Sequence, residues 1–405
     1  MRLQRLLLAC CLASTALASP ANAVTFEFVD LGGAGIGTQA RQGFDIAASY
    51  WSSVLTDDIT IKLNIAYVSL GAGVVGGTSS TRVAVGVGAT YDALATDATS
   101  TLDSTAVENL QPLSTVASGT FAGQEAVTFT ANELNRAKTG YLDTATRIDN
   151  DGSTNNVGLA MNQANAQALG ITTDYNGTVI DYTAAAGTVY FSSNFTFDFD
   201  PSDGITTGSY DFIGTAIHEI GHALGFVSGV DTYDAYTYPG NLTNRSAGGV
   251  ENNAVASTLD LFRYSAEDTL DLSTSASVKY FSIDGGETQL FGSASFSTGT
   301  ANGDGRQASH WKDSPSNEPQ EGILDPTVQP GQLMEVTSLD LAAFDAMGYD
   351  VSFDVLMDPD YRFTTADMYA SAVPEPATWI QMMLGFALLS MAVRRRRHRI
   401  GTVYA

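Results

Sequence analysis

The sequence predicts an α+β fold, with a mixed sheet and helices in its first part and largely irregular chain afterwards. Three observations carry that prediction. A helical-period segment at 40–55 runs directly into an alternating strand at 59–68. A second, strongly apolar helix stands at 210–226. Beyond it come only short strand-like runs and one short helix. At 44% hydrophobic, the 405 residues can bury a core, which excludes global disorder.

Taken in order, 40–55 (ARQGFDIAASYWSSVL) places Phe44, Ile46, Ala47, Tyr50, Trp51 and Leu55 on one helical face. Residues 59–68 alternate apolar and polar, as a half-buried strand does, and 83–89 reads as a second strand. The stretch 94–126 is rich in Thr, Ser and Ala with weak periodicity and reads as loops or an insertion. Residues 159–169 read as a helix and 188–199 as a strand, with further strands at 257–264 and 278–283. A short helix at 338–347 has Thr337 and Asp340 as a capping box, and Gly348 closes it. Residues 352–373 read as a linker, which leaves 24–351 as the main domain.

The two ends read as addresses. Residues 1–23 carry Arg2 and Arg5, an apolar stretch and Ala21-Asn22-Ala23, the pattern of a signal peptide cut by signal peptidase. Both cysteines, Cys10 and Cys11, lie inside it, so cleavage after Ala23 leaves no thiol chemistry and no disulfides. At the other end Pro374-Glu375-Pro376 precedes an apolar run at 377–393 and an arginine cluster at 394–399, within a tail of 374–405. The run is just long enough to span a bilayer, with the arginines on the cytoplasmic side. The tail resembles the PEP-CTERM sorting signal. That resemblance implies an exported envelope, surface or extracellular protein of a Gram-negative bacterium. It also implies an exosortase-type enzyme that removes the tail, so the membrane is met only before processing. Between the ends lie 12 basic and 43 acidic residues, a net of −31. Such a charge argues against nucleic acid as a partner and suits a solvated acidic surface that attracts divalent cations.

Residues 210–226 read YDFIGTAIHEIGHALGF. Ile213, Ile217, Ile220 and Leu224 form one apolar stripe, and Gly225 suits the C-cap. His218 and His222, four apart, share a helical face and can hold one metal, while Glu219 beside them can accept a proton from water. Once the tail's His398 is set aside, His310 is the remaining histidine. A catalytic Zn2+ wants three protein ligands and an open position. His218, His222 and His310 are therefore the expected ligands, with Asp231 and Glu251 as rivals for the third place. Asp198-Phe-Asp200-Pro-Ser-Asp203-Gly204 and Asp149-Asn150-Asp151-Gly152 are weaker signals, polar turns by default and otherwise Ca2+ loops.

His218-Glu219-x-x-His222-x-x-Gly225-Phe226 resembles the metzincin clan of zinc metalloproteases. In the compact motif the third histidine falls at position 228, which is Ser228 here. The distant Ser309-His310-Trp311, with Ala223 to Phe226, resembles leishmanolysin-type proteases instead. This implies a zincin fold, with mixed sheet and active-site helix in the N-terminal subdomain. It also implies a zinc endopeptidase acting on protein or peptide, with a zinc-activated water and Glu219 as general base. The clan places a methionine turn below the zinc. Leu324 occupies the expected position and Met334 follows ten residues later, a departure from the pattern. The alternative function is a non-catalytic surface or exopolysaccharide-associated matrix or adhesion protein that keeps a zinc site.

Overall fold

The computed structural model describes residues 23–71, 73–134, 141–238, 251–315 and 318–372. The expected signal peptide up to residue 22, the motif Pro374-Glu375-Pro376, the apolar run and the arginine cluster lie outside them.

Strand β1 (Thr25–Asp30), helix α1 (Gln39–Val54) and strand β2 (Thr60–Val68) form the first unit, in which β1 and β2 pair in parallel. Thr38 caps α1, its Oγ1 accepting from the Arg41 amide at 3.1 Å. In β2, Ile61, Leu63 and Ile65 are fully buried, while Lys62 and Asn64 are half-buried, so one face packs inward. The strand Gly187–Ser192 joins β2 in parallel, and β3 (Gly76–Ser80) pairs antiparallel on its far side as the outermost strand.

The helix Phe212–Leu224, here the histidine helix, packs on α1 and on this sheet. Phe191 of the sheet stands 5.2 Å from Phe44 of α1 and 5.0 Å from Phe212 of the histidine helix, centroid to centroid. Trp51 Nε1 donates to the Ile217 carbonyl at 3.2 Å. An apolar stripe read as one helical face is thus a contact with a second helix and a sheet together.

Four expectations are corrected. Residues 83–89 are not one strand: β4 (Arg82–Gly86) gives way to helix α2 (Val87–Asp97). The stretch 94–126 is not all loop, because α2 continues to Asp97 and α3 (Thr101–Glu108) follows. The Ser100–Asp103 capping box starts α3, and the helix is too short to show a periodic stripe. Residues 159–169 divide into a strand, Gly158–Asn162, antiparallel to β4, and a short helix, Gln163–Ala168. Its residues are buried nearly all round, which erases the difference between the two periods. The expected strand at 257–264 opens with a 3₁₀ turn, Leu259–Phe262, set by the Asp260 carboxylate, which accepts from the Ser257 amide at 2.8 Å.

The expected linker is also corrected. Arg362–Thr364 pairs antiparallel with Glu335–Thr337, and the helix Thr365–Ala372 packs on α1. Phe363 stacks on Tyr50 at 5.7 Å and Thr365 is fully buried. Aromatic residues at 361 and 363 give this segment a face to bury. The expected helix at 338–347 is present as Ser338–Ala346, with the Thr337–Asp340 capping box, and Gly348 follows with φ +88°. The antiparallel pair Phe129–Leu134 and Tyr141–Asp149 carried no expectation. Between 251 and 334 the described chain holds a small three-stranded sheet and is otherwise mostly turns.

Candidate metal centre

The histidine helix begins at Asp211, whose carboxylate accepts from the Gly214 amide at 2.9 Å and from the Met334 amide at 3.2 Å. It ends at Gly225, where φ is +136° and the Phe226 amide donates back to the Gly221 carbonyl at 3.1 Å. That turn swings the chain away one residue after the apolar stripe ends. Gly221 leaves room below the helix: a Cβ there would sit 3.4 Å from both methyl carbons of Leu324. Leu324 is fully buried and lies under the turn between His218 and His222. Met334 instead crowds Gly214, two turns earlier, where a Cβ would lie 2.7 Å from its sulfur.

Three imidazole nitrogens converge. His222 Nε2 lies 3.0 Å from His218 Nε2 and 3.1 Å from His310 Nε2, and the third side of the triangle is 3.3 Å. Two nitrogens on one tetrahedral zinc, at about 2.0–2.1 Å from it, are about 3.3–3.4 Å apart. Each ring's other nitrogen faces a carbonyl: His218 Nδ1 meets Ile323 O at 2.7 Å, His222 Nδ1 meets Phe226 O at 2.7 Å and His310 Nδ1 meets Gln307 O at 3.2 Å. A carbonyl only accepts, so each Nδ1 carries the proton and each Nε2 presents a lone pair. Three lone pairs at that spacing repel unless a cation lies between them, so the donor set fits a Zn2+-class ion. Burial and the nearby His218 push His222 down to about 3, and burial with the other two histidines pushes His310 down as well. Both rings are therefore neutral, as ligands must be.

Glu219 is buried beside them, and its Oε2 accepts from Thr78 Oγ1 at 2.7 Å. Burial raises its carboxyl above the ordinary range, against the opposing pull of His218 and Thr78. Thr78 belongs to β3, so the outer strand of the sheet borders the centre. Its Gly-Gly-Thr-Ser-Ser run carried no periodic signal, and the sequence reading missed it. A cleft of about 900 Å³ runs past Glu219, the three histidines and β3.

The segment that carries His310 is held by carboxylates. Asp231 is not among the grouped donors: its oxygens accept from Ala308 N at 2.7 Å, Ser309 N at 3.2 Å and Ser309 Oγ at 2.5 Å. Ser228 N donates to Ser309 Oγ at 2.9 Å, and Ser228 Oγ to Asp260 at 2.5 Å. Position 228, where the compact motif has its histidine, is thus tied to the loop that brings His310. Asp340, fully buried, accepts from Trp311 Nε1, Ile323 N and Leu324 N, joining the segments on both sides of the centre.

Glu251 lies elsewhere, with Asp149 and Asp151 in a second acidic group, where Arg147 bridges Asp149 at 2.8 Å and Glu251 at 2.6 Å. In the loop at 198–204, Asp198 accepts from Asp200 N and from both N and Oγ1 of Thr206.

Among the described residues no helix is long and apolar enough to cross a membrane. No curated protein and no solved structure matches the chain. Residues 372–397 match the family described as the PEP-CTERM protein-sorting motif. The chain therefore carries the sorting signal of an exported, cell-surface-targeted bacterial protein, processed by exosortase-type machinery.

Proposed function

We propose that this chain is an exported, zinc-dependent endopeptidase of the metzincin type, similar to the leishmanolysin-type proteases, from a Gram-negative bacterium. The observation that carries the reading is the convergence of three Nε2 atoms at 3.0–3.3 Å with a buried carboxylate alongside. The sheet supports it too, since its antiparallel outer strand β3 borders the cleft and contacts Glu219.

His218, His222 and His310 would hold the zinc, and their carbonyl partners fix the tautomer that binds it. A bound zinc supplies Lewis-acid polarisation of a peptide carbonyl and lowers the pKa of water. Glu219 accepts a proton from the attacking water and returns it to the leaving amine. Thr78 orients the Glu219 carboxylate by donating to Oε2, which leaves Oε1 for that proton. Leu324 supplies an apolar floor beneath the helix turn that carries both histidines.

Casein cleavage by the mature chain, with and without a chelator, tests the reading. The Glu219→Gln protein is expected to retain zinc and to lose about 10²–10⁴-fold in peptidase rate, because the amide keeps the shape and cannot take the proton. Full activity in that variant would remove Glu219 from the reaction. A matrix or adhesion protein with a zinc site would bind the metal and leave casein intact.

A further inference from the structure

We propose that Arg82 determines substrate preference, its guanidinium receiving a carboxylate of the peptide at the His222 end of the cleft. This rests on the peptidase reading above.

Among the described residues, Arg82 is the arginine whose guanidinium makes no hydrogen bond or ion pair. Arg41, Arg147, Arg306 and Arg362 each lie against a carboxylate. Arg263 is buried and donates to the carbonyls of Ser297 and Ala308. A chain with 43 acidic residues between its two end segments offers many partners, so one unpaired guanidinium stands out. Arg82 is exposed, and the surface it is exposed to is the cleft that Glu219 and the three histidines also line, so its guanidinium is open to a ligand there.

Its placement is set by backbone. Arg82 is the first residue of β4, opposite Asn162 in the ladder, and Asn162 Nδ2 donates to the His222 carbonyl at 2.7 Å. Two residues earlier, Ser80 Oγ reaches the same carbonyl at 3.4 Å. Thr215, His218, Glu219 and His222 line the cleft on successive turns of the histidine helix, so the cleft runs along that helix and Arg82 sits at its C-terminal end.

The nearest acidic side chains do not satisfy it. Asp260 and Asp231 lie close enough to act on Arg82 through their charge. The Asp231 oxygens are already taken by Ala308 and Ser309, and those of Asp260 by Ser228, Gly229 and Ser257. The Arg82 donors therefore stay available, in a planar fork that matches a carboxylate. Arg306 lines the cleft as well, but Asp313 holds it at 2.8 Å. The ligand chemistry is a carboxylate, from a Glu or Asp side chain or from the C-terminus of a peptide.

Zinc-loaded, full-length mature Glu219→Gln protein provides the binding test, because it is expected to hold peptide without cutting it. Fluorescent peptides that carry one Glu at successive positions are compared with their Gln counterparts, each with a free or amidated C-terminus, by anisotropy. Tighter binding of the Glu peptides is expected. Arg82→Gln should weaken it by about tenfold or more and leave the Gln peptides unchanged, with Arg82→Lys in between. Dependence on the free C-terminus alone identifies the terminal carboxylate as the source. Thermal unfolding confirms that the variants fold. In the cleaving enzyme, the Glu-over-Gln ratio of kcat/KM should fall toward one in Arg82→Gln. Equal binding of all peptides by the parent protein, or equal weakening of all by Arg82→Gln, overturns the proposal. Arg82-dependent binding in a chain that cleaves nothing defeats the peptidase reading and upholds this one. Cleavage without any carboxylate preference does the reverse.

Discussion

At the scale of single residues, Asp231 and His310 divide two roles that the sequence left open between them. The imidazole of His310 reaches the other two imidazole nitrogens, while Asp231 grips the backbone of the loop that carries it. Their substitutions should therefore differ in kind. His310→Ala leaves two imidazoles and is expected to lose zinc on dialysis. Asp231→Ala keeps all three ligands but frees their loop, so stoichiometry should stay near one zinc per chain. Its affinity should fall about 10–100-fold, the usual cost of losing a supporting contact. Atomic absorption and a chelator competition on both folded proteins check this. A zinc-free Asp231→Ala protein beside a zinc-replete His310→Ala protein would make Asp231 the ligand.

Among elements, the crossing of α1 with the histidine helix sets where His218 and His222 stand. Gly43 lies at that crossing, and a Cβ there would come 2.3 Å from Phe212 Cδ1. Alanine in a helix interior is intrinsically better than glycine by about 1 kcal/mol. Overpacking costs about 1–3 kcal/mol, and Phe212 has no room to retreat among Phe44, Phe191, Phe197 and Phe199. The clash should win, so Gly43→Ala is expected to lose up to about 2 kcal/mol in urea unfolding. A more stable variant would show that the crossing is loose. The two crossing helices were legible because each carries a long apolar stripe. Helix α3 and the strand Gly158–Asn162 were not, since one is too short for a period and the other is buried nearly all round.

Over the whole molecule, an acidic chain has folded carboxylates against one another. Asp57, Asp97, Asp103, Asp345 and Asp350 gather where the end of α1 meets α2, α3 and the helix Ser338–Ala346. Burial, with help from neighbouring carboxylates, pushes Asp57 and Asp97 up to about 7. Burial and the charge of Asp103 push Asp345 up to about 9, so that Asp345 keeps its proton at neutral pH. Asp57, Asp97 and Asp345 each bind a proton more tightly folded than unfolded. Their contribution to stability is complete below about pH 4 and drains away as pH rises through 7 and then 9. With zinc saturating, Tm is expected to fall between pH 6 and 9. Asp345→Asn, neutral at every pH, should flatten the upper part of that fall. A Tm that rises across this range would contradict the raised carboxyls.

The sequence by itself determined the α+β class, the helix with His218, Glu219 and His222, the candidate His310, and the export and sorting signals. All of these are local in chain, written in periodicity, short spacings or end segments. Tertiary structure alone decided that His310 crosses 88 residues to meet His222, that Thr78 holds Glu219, that Asp231 is a brace, and that residues 353–372 fold back onto α1. Each of those facts is a pairing between distant segments. A carboxylate or an aromatic ring looks the same in sequence whether it faces water or a partner, and only packing tells the two apart.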